Sequence, residues 1–209
     1  MAGVSGKTIG RLSLYRRVLY GLLADGERSV YSHQLAALVG GTAAQVRRDM
    51  MAVGYTGSPT RGYDITDLTR AIGNFLDAAQ GQSVALVGVG NLGKAILSYF
   101  AGRRPRLSIE AAFDTDPAKV NRVIHGCRCY PLDDLERVVQ SRGIEIGVLT
   151  VPADQAQDVA EYLVRSGVLG ILNFAPVRLS VPDHVYVEDI GMTMSLEKVA
   201  FFARGKKRL

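Results

Sequence analysis

From Ser83 onward the chain alternates continuous apolar runs with segments of helical period, and few folds accept that pattern. The runs are SVALVGV (83–89), LSIEAAFD (107–114), IGVLTV (146–151) and GILNF (170–174), followed by a last strand, VYVED (185–189). Helical stretches lie between them, around 95–99, 132–139 and 154–164. Successive side chains of a strand point to opposite faces, so a strand apolar at every position needs both faces covered. Helices on either side of a parallel sheet provide that cover. The expected class is therefore α/β, with a Rossmann-type doubly wound parallel sheet.

The preceding segment has a different build. Over 13–23, Leu14, Tyr15, Val18, Leu19, Leu22 and Leu23 share one helical face, with Arg16 and Arg17 at its edge. A turn at Asp25-Gly26 leads to a short strand at Val30-Tyr31. Ser32 then stands as the cap of a helix carrying Leu35, Ala36, Leu38 and Val39, which Gly40-Gly41 ends. Thr42-Ala43-Ala44-Gln45 reads as a capping box, hydroxyl and amide each satisfying a backbone donor, so a third helix starts there. Two helices across so short a glycine turn make a helix-turn-helix, and GSPTRGYD, around Pro59 and Gly62, reads as a hairpin wing. A connecting helix follows, capped by Asp64, with Ile65, Leu68, Ile72, Phe75, Leu76 and Ala79 at helical period and Gly81 as its stop. The expected organisation is a winged-helix domain over 1–80, a Rossmann domain over 81–190, and a C-terminal helix with a basic tail over 191–209.

Charge separates the same two parts. The whole chain carries a formal +5, and through residue 61 it holds eight basic residues (Lys7, Arg11, Arg16, Arg17, Arg28, Arg47, Arg48, Arg61) against three acids (Asp25, Glu27, Asp49). The rest is balanced. A basic module joined to a neutral one points to a polyanion partner for the first, and nucleic acid is the usual one.

Gly88-Val89-Gly90-Asn91-Leu92-Gly93 fits G-x-G-x-x-G. Glycines are common, so the context carries the weight: the motif directly follows an apolar strand and opens a helix with Ala95, Ile96, Tyr99 and Phe100. Gly88 suits a tight turn, Gly90 a close approach by a pyrophosphate, and Gly93 close packing of helix on strand. Asp114 ends the second strand, 21 residues past Gly93, where a carboxylate accepts hydrogen bonds from adenosine ribose hydroxyls. With Asp116 nearby and no arginine beside it, a 2′-phosphate is repelled, which favours NAD(H) over NADP(H). Two further loops end strands at the expected crevice rim, Thr150-Val151-Pro152 and Asn173-Phe174-Ala175-Pro176. They are candidate walls for the nicotinamide end, with Asn173 as a partner for its amide, although turn geometry alone also accounts for them.

Other features exclude more than they assign. No stretch approaches the roughly 18 apolar residues of a membrane span, and the first residues lack a signal-peptide apolar run, so a cytoplasmic location is expected. Cys127 and Cys129, separated by one residue on a strand, read as packing residues poorly placed to bond each other; their spacing and number do not suit a metal. His33, His125 and His184 are scattered, and no substrate domain follows the last strand, so an enzyme is not expected. On the final helix Leu196, Val199, Ala200 and Ala203 form one face while Met192, Met194, Phe201 and Phe202 extend the apolar surface around it. Such a helix needs burial on several sides, which a second subunit supplies.

Together LSLYRRVL, VRRDM, VGVGNLGKA, LTVPA and GILNFAPVRLSVP resemble the redox-sensing repressor family Rex over nearly the whole chain. The resemblance implies a homodimer whose winged-helix domains bind double-stranded operator DNA at an inverted repeat, and whose Rossmann domains sense NADH against NAD, NADH releasing the DNA. It implies that Gln45, Arg47 and Arg48 enter the major groove, that Thr60, Arg61 and Gly62 form the wing, and that Tyr99 lies near the nicotinamide. Lys7, Arg11 and Arg17 join these as candidate DNA contacts. Arg11 matches an arginine that couples the two domains, and the last helix is domain-swapped. One departure stands out: Gly191 replaces an aspartate usual at the strand to helix junction, and Ser195 a common acid, with Asp189 the nearest carboxylate. Two other readings share the glycine motif, an NAD-dependent oxidoreductase and a nucleotide-binding module of the coenzyme A type without DNA regulation.

Overall fold

The computed structural model describes residues 4–102 and 106–205. It divides into two compact units between Gln80 and Gly81.

In the first unit, α1 (Gly6–Ala24) is capped by Ser5, whose hydroxyl accepts the Thr8 N–H. It begins seven residues earlier than the apolar run indicated, because the cap rather than the stripe sets its start. Leu12, Tyr15 and Leu19 are its buried positions, and Leu14 is only half-buried. β1 (Ser29–Val30) pairs antiparallel with β2 (Tyr63–Asp64), Val30 opposite Tyr63. α2 (Ser32–Val39) takes Tyr31 as its cap instead of Ser32: the Tyr31 N–H donates to the Gln34 side chain. Gly40 ends it in the left-handed region at φ 69°.

α3 (Ala43–Ala52) starts at Thr42, whose hydroxyl accepts the Gln45 N–H at 3.2 Å. Only this half of the expected capping box forms, since the Gln45 amide turns to Asp49 instead. α4 (Ile65–Leu76), capped by Asp64, buries Ile65, Leu68, Thr69 and Ile72. It stops short of Ala79 and Gly81, because Asp77 leaves the helix in an extended conformation and pairs with Arg16 of α1 at 2.7 Å. Leu12, Tyr15, Leu35, Val46, Met50, Tyr63 and Ile72 close one core among these elements.

The second unit is a seven-stranded sheet. Its strands are β3 (Gln82–Val87), β4 (Leu107–Asp114), β5 (Val123–Ile124), β6 (Cys127–Pro131), β7 (Ile146–Leu149), β8 (Gly170–Asn173) and β9 (Tyr186–Asp189). Their order is β5-β6-β4-β3-β7-β8-β9, all parallel except β5, which joins β6 as an antiparallel edge hairpin too short to be seen in the sequence. Taking the parallel strands by appearance, the order is third, second, first, fourth, fifth, sixth, that of a dinucleotide-binding doubly wound sheet. β3, β7 and β8 each end one or two residues before their apolar runs do, because the chain turns at Gly88, Thr150 and Phe174 to form the rim.

Period-two alternation explains why the runs are apolar throughout. In β3, Ala85 and Val87 face the core under α6 (Leu135–Ser141) and α7 (Ala156–Arg165), whereas Val84 and Leu86 face α5 (Asn91–Phe100). Cys127 and Cys129 sit two apart and therefore share a face; both are buried under α5 as free thiols. Burial pushes each thiol up to about 11, so neither is a ready nucleophile. The chain closes with α8 (Met192–Gly205), on which no described side chain is buried. The basic tail beyond Gly205 lies outside the described residues.

Candidate cofactor cleft and nucleic-acid interface

The order of the sheet reverses between β3 and β7, and the glycine turn sits there. Gly88 adopts φ 97°, and a Cβ on it would stand 2.7 Å from the Thr150 carbonyl oxygen. The Gly88 N–H donates to the Phe113 carbonyl oxygen, and the Thr150 hydroxyl donates to the Val87 and Gly88 carbonyls, so three strands clamp the turn. Gly93 packs so closely that a Cβ would stand 2.1 Å from the Gly88 carbonyl oxygen, while Gly90 has open space before it. The three glycines therefore meet the demands that the motif places on each.

A cleft of about 400 Å³ belongs to the first unit and one of about 340 Å³ to this turn. The second gathers Gly88, Gly90, Asp114, Thr150, Val151 and Pro152, and adds Lys119, Leu132 and Gln155, which the sequence pattern did not single out. Asn91 and Leu92 begin α5 beside the turn, outside the cleft wall. Tyr99 stands at the far end of α5, about 13 Å along the axis from Gly90, its exposed ring edge-on to Phe100.

The loop after β8 does not join this wall either. Asn173 is fully buried; its amide donates to the Val177 carbonyl and to Asp189, and its side-chain oxygen accepts the Ala175 N–H. With those groups engaged it staples its own loop, and it is not among the residues that line the cleft. Ala175 is buried, Phe174 half-buried against the α5 face, and Pro176 exposed. Asp189, the nearest carboxylate to Gly191, is thereby committed to Asn173.

Asp114 sits where expected but has more partners than expected. One oxygen accepts the Val89 N–H at 2.7 Å and the Lys119 ammonium at 3.1 Å, and the other accepts the Asp116 N–H at 2.9 Å. Burial raises a carboxyl, but these donors outweigh it and hold Asp114 below its ordinary range. The end of the cleft is thus not simply anionic: Lys119 also reaches Asp116 at 3.4 Å.

In the first unit some basic residues are tied to buried groups and others are exposed. Arg11 grips Asp49 with two nitrogens, at 2.7 and 2.8 Å, and so stands as an internal tie rather than an outward cation. Buried Asp49 also accepts from the Tyr15 hydroxyl at 2.9 Å and from Gln45 at 2.9 Å, and Gln45 in turn accepts from Arg48 at 2.8 Å. Burial alone would raise Asp49; its donors, Arg11 first, lower it instead. Lys7, Arg17, Arg47, Arg48 and Arg61 are exposed.

Ser58 and Gly62 exchange backbone hydrogen bonds at 2.8 Å and close the wing over Pro59, Thr60 and Arg61. Gly62 is required there, with φ 73° and the Val30 carbonyl oxygen 2.6 Å from any added Cβ. The cleft between α3 and the wing is lined by Arg47 with Tyr31, Met51, Tyr55 and Pro59. The aromatic members were not picked out in sequence, because a tyrosine there fits core packing equally well. All three histidines are exposed, and no His, Cys, Asp or Glu group among the described residues is arranged to hold a metal.

A winged helix-turn-helix unit ahead of a dinucleotide-type sheet defines a class, the ligand-responsive transcription regulator. Comparison with known proteins narrows it. The "CoA binding domain" family matches residues 79–177, and the "Putative DNA-binding protein N-terminus" family matches residues 3–50. A redox-sensing transcriptional repressor Rex of Rhodopirellula baltica is 42% identical over 200 residues, 96% of this chain and 84% of that one. That of Carboxydothermus hydrogenoformans is 41% identical, over 94% of this chain and 95% of its own. The crystal structure of RSP with β-NAD+ and operator DNA superposes with a TM-score of 0.90 at 30% identity, covering 99% of this chain and 95% of that one, and RSP with β-NADH gives 0.88. The chain belongs to the redox-sensing transcriptional repressor Rex family, a family of regulators rather than enzymes.

Proposed function

We propose that this chain represses transcription from the cytoplasm as a homodimer, binding an inverted-repeat operator and releasing it when NADH occupies the Rossmann unit. The observation that carries the reading is the clamped glycine turn at the sheet's switch point, hydrogen-bonded to Asp114 in the lining of a cleft, in a chain that also carries a basic winged-helix unit. The relatives are named as redox-sensing repressors, and RSP is described with NAD+ and operator DNA and with NADH. Gly88, Gly90 and Gly93 would admit the pyrophosphate to the start of α5, where unpaired N–H groups favour anions. Asp114 would hold the adenosine ribose, and Val151 and Pro152 would offer apolar surface. The bound cofactor would supply no chemistry here; its oxidation state is the signal.

On the DNA side, exposed Arg47 and Arg48 would read base edges, Arg61 and Thr60 would sit on the wing, and Lys7 and Arg17 would meet phosphates. Arg11 would act through Asp49, setting the angle of α3. A dimer is supported by α8: Leu196, Val199, Phe201 and Phe202 are each 64–72% exposed, more apolar surface than one helix usually leaves in water. On the sheet, Ile146, Leu172 and Phe174 of the α5 face are only half-buried. Exchange of α8 between subunits would cover such surfaces. With Gly191 in place of the carboxylate, apolar contacts of α8 would carry more of the coupling.

A ligand shifts an equilibrium only through its differential affinity for two states, so a hundredfold weakening of operator binding needs about 2.7 kcal/mol of preference by NADH for the released arrangement. The test is anisotropy of a labelled inverted-repeat duplex, obtained by selection from random sequence and titrated with each cofactor. NADH is expected to release it at concentrations where NAD+ does not. Saturating NADH that leaves binding untouched overturns the sensing half; absence of any preferred duplex overturns the repressor half.

A further inference from the structure

The cleft ends in three charges. Asp116 follows β4, and its side-chain oxygen accepts the Ala118 N–H at 2.9 Å while its carbonyl oxygen accepts the N–H groups of Lys119 and Val120 at 2.9 and 3.1 Å. This single turn swings Lys119 back over the strand end, where its ammonium lies 3.1 Å from Asp114 and 3.4 Å from Asp116. Lys119 also lines the cleft. Two carboxylates and one ammonium leave a net charge near −1, not the −2 that the acids alone would present.

Hydrogen-bond capacity points the same way. A carboxylate offers about four acceptor positions. Asp114 has filled three of them, with Val89, Lys119 and Asp116. A ribose presents two hydroxyl donors, so Asp114 meets both only when Lys119 turns aside. Among the described residues that line the cleft, Lys119 is the cation.

We propose that Lys119 is a specificity-determining residue of the dinucleotide site, a latent phosphate partner held out of that role by Asp114 and Asp116. The proposal rests on the NAD(H) reading above. On this account discrimination against a 2′-phosphate comes from the balance of three groups. Removing a carboxylate admits NADPH chiefly because it frees Lys119, and only in part because it removes repulsion.

Calorimetry of the full chain with NADH and NADPH tests this through a double-mutant cycle on the affinity ratio. A charge-assisted hydrogen bond to phosphate corresponds to about tenfold. In the wild-type background, where both carboxylates hold the ammonium, Lys119→Met should change the ratio by much less than that factor. Asp116→Asn should lower the preference for NADH by about the full factor, and Lys119→Met made in that background should abolish most of the gain. An Asp116→Asn effect of the same size with and without Lys119 overturns the proposal. A wild type that binds neither dinucleotide overturns the underlying reading, and the proposal with it. Thermal melting of each variant identifies loss of fold separately.

Discussion

Asp49→Ala examines how the DNA-reading helix is held. Asp49 is 2% exposed and accepts four hydrogen bonds, two from Arg11 and one each from Tyr15 and Gln45. Truncation leaves the Tyr15 hydroxyl, on a side chain 1% exposed, without its carboxylate partner, which costs about 1–3 kcal/mol. Stranding a fully buried charge costs about 3–5 kcal/mol. The Arg11 side chain is 32% exposed and regains water, so its share falls well below that range. A total of about 3 kcal/mol is expected, which for a unit of this size lowers its melting temperature by about 12–24 °C. Asp49→Asn, which keeps the shape and loses the charge, should cost about half as much. Differential scanning calorimetry of the full chain provides the assay. A melting temperature within 2 °C of wild type in Asp49→Ala would refute the reasoning, because Arg11 and Tyr15 would then find equal partners elsewhere.

Three further outcomes are expected. Gly93→Ala places a methyl group against the Gly88 carbonyl and should cost about 1–3 kcal/mol in stability as well as weaken NADH binding at least tenfold; unchanged calorimetric affinity contradicts the packing argument. Arg47→Ala and Arg48→Ala should each reduce discrimination of operator from random DNA by about 1–3 kcal/mol, whereas Arg17→Ala should flatten the log–log salt slope by about one unit, and the reverse assignment of effects would exchange their roles. Stability should also depend on pH at both ends. Asp49, lowered from 3.8, contributes above that value and loses its contribution as pH falls through the folded value; Tyr15, raised from 10.0 to about 12, contributes below pH 10 and loses its contribution as pH rises toward 12. Tyr15→Phe should make the alkaline limb shallower, which melting curves from pH 8 to 12 would show.

Much of this protein is decided locally and so is legible in sequence. Continuous apolar runs demanded a sheet covered on both faces, and β3 shows why: Val84 and Leu86 serve one core, Ala85 and Val87 the other. The glycine fingerprint was equally readable, since a positive φ at Gly88 and a missing Cβ at Gly93 are backbone requirements that only glycine meets cheaply. What tertiary structure decided was the partner of each polar side chain. Gln45 looked like a capping residue and a base reader, yet its nearest acceptor is an aspartate that α1 also holds. Asn173 looked like a cofactor contact, but β9 places Asp189 beside it and the loop folds back onto its amide. Lys119 escaped notice because a lysine five residues beyond an aspartate has no fixed direction until a turn aims it. Period and backbone geometry act over a few residues and are written in order along the chain. Charges and hydrogen-bonding groups pair with whatever the fold brings within about 3 Å, and that proximity exists only once distant segments have packed.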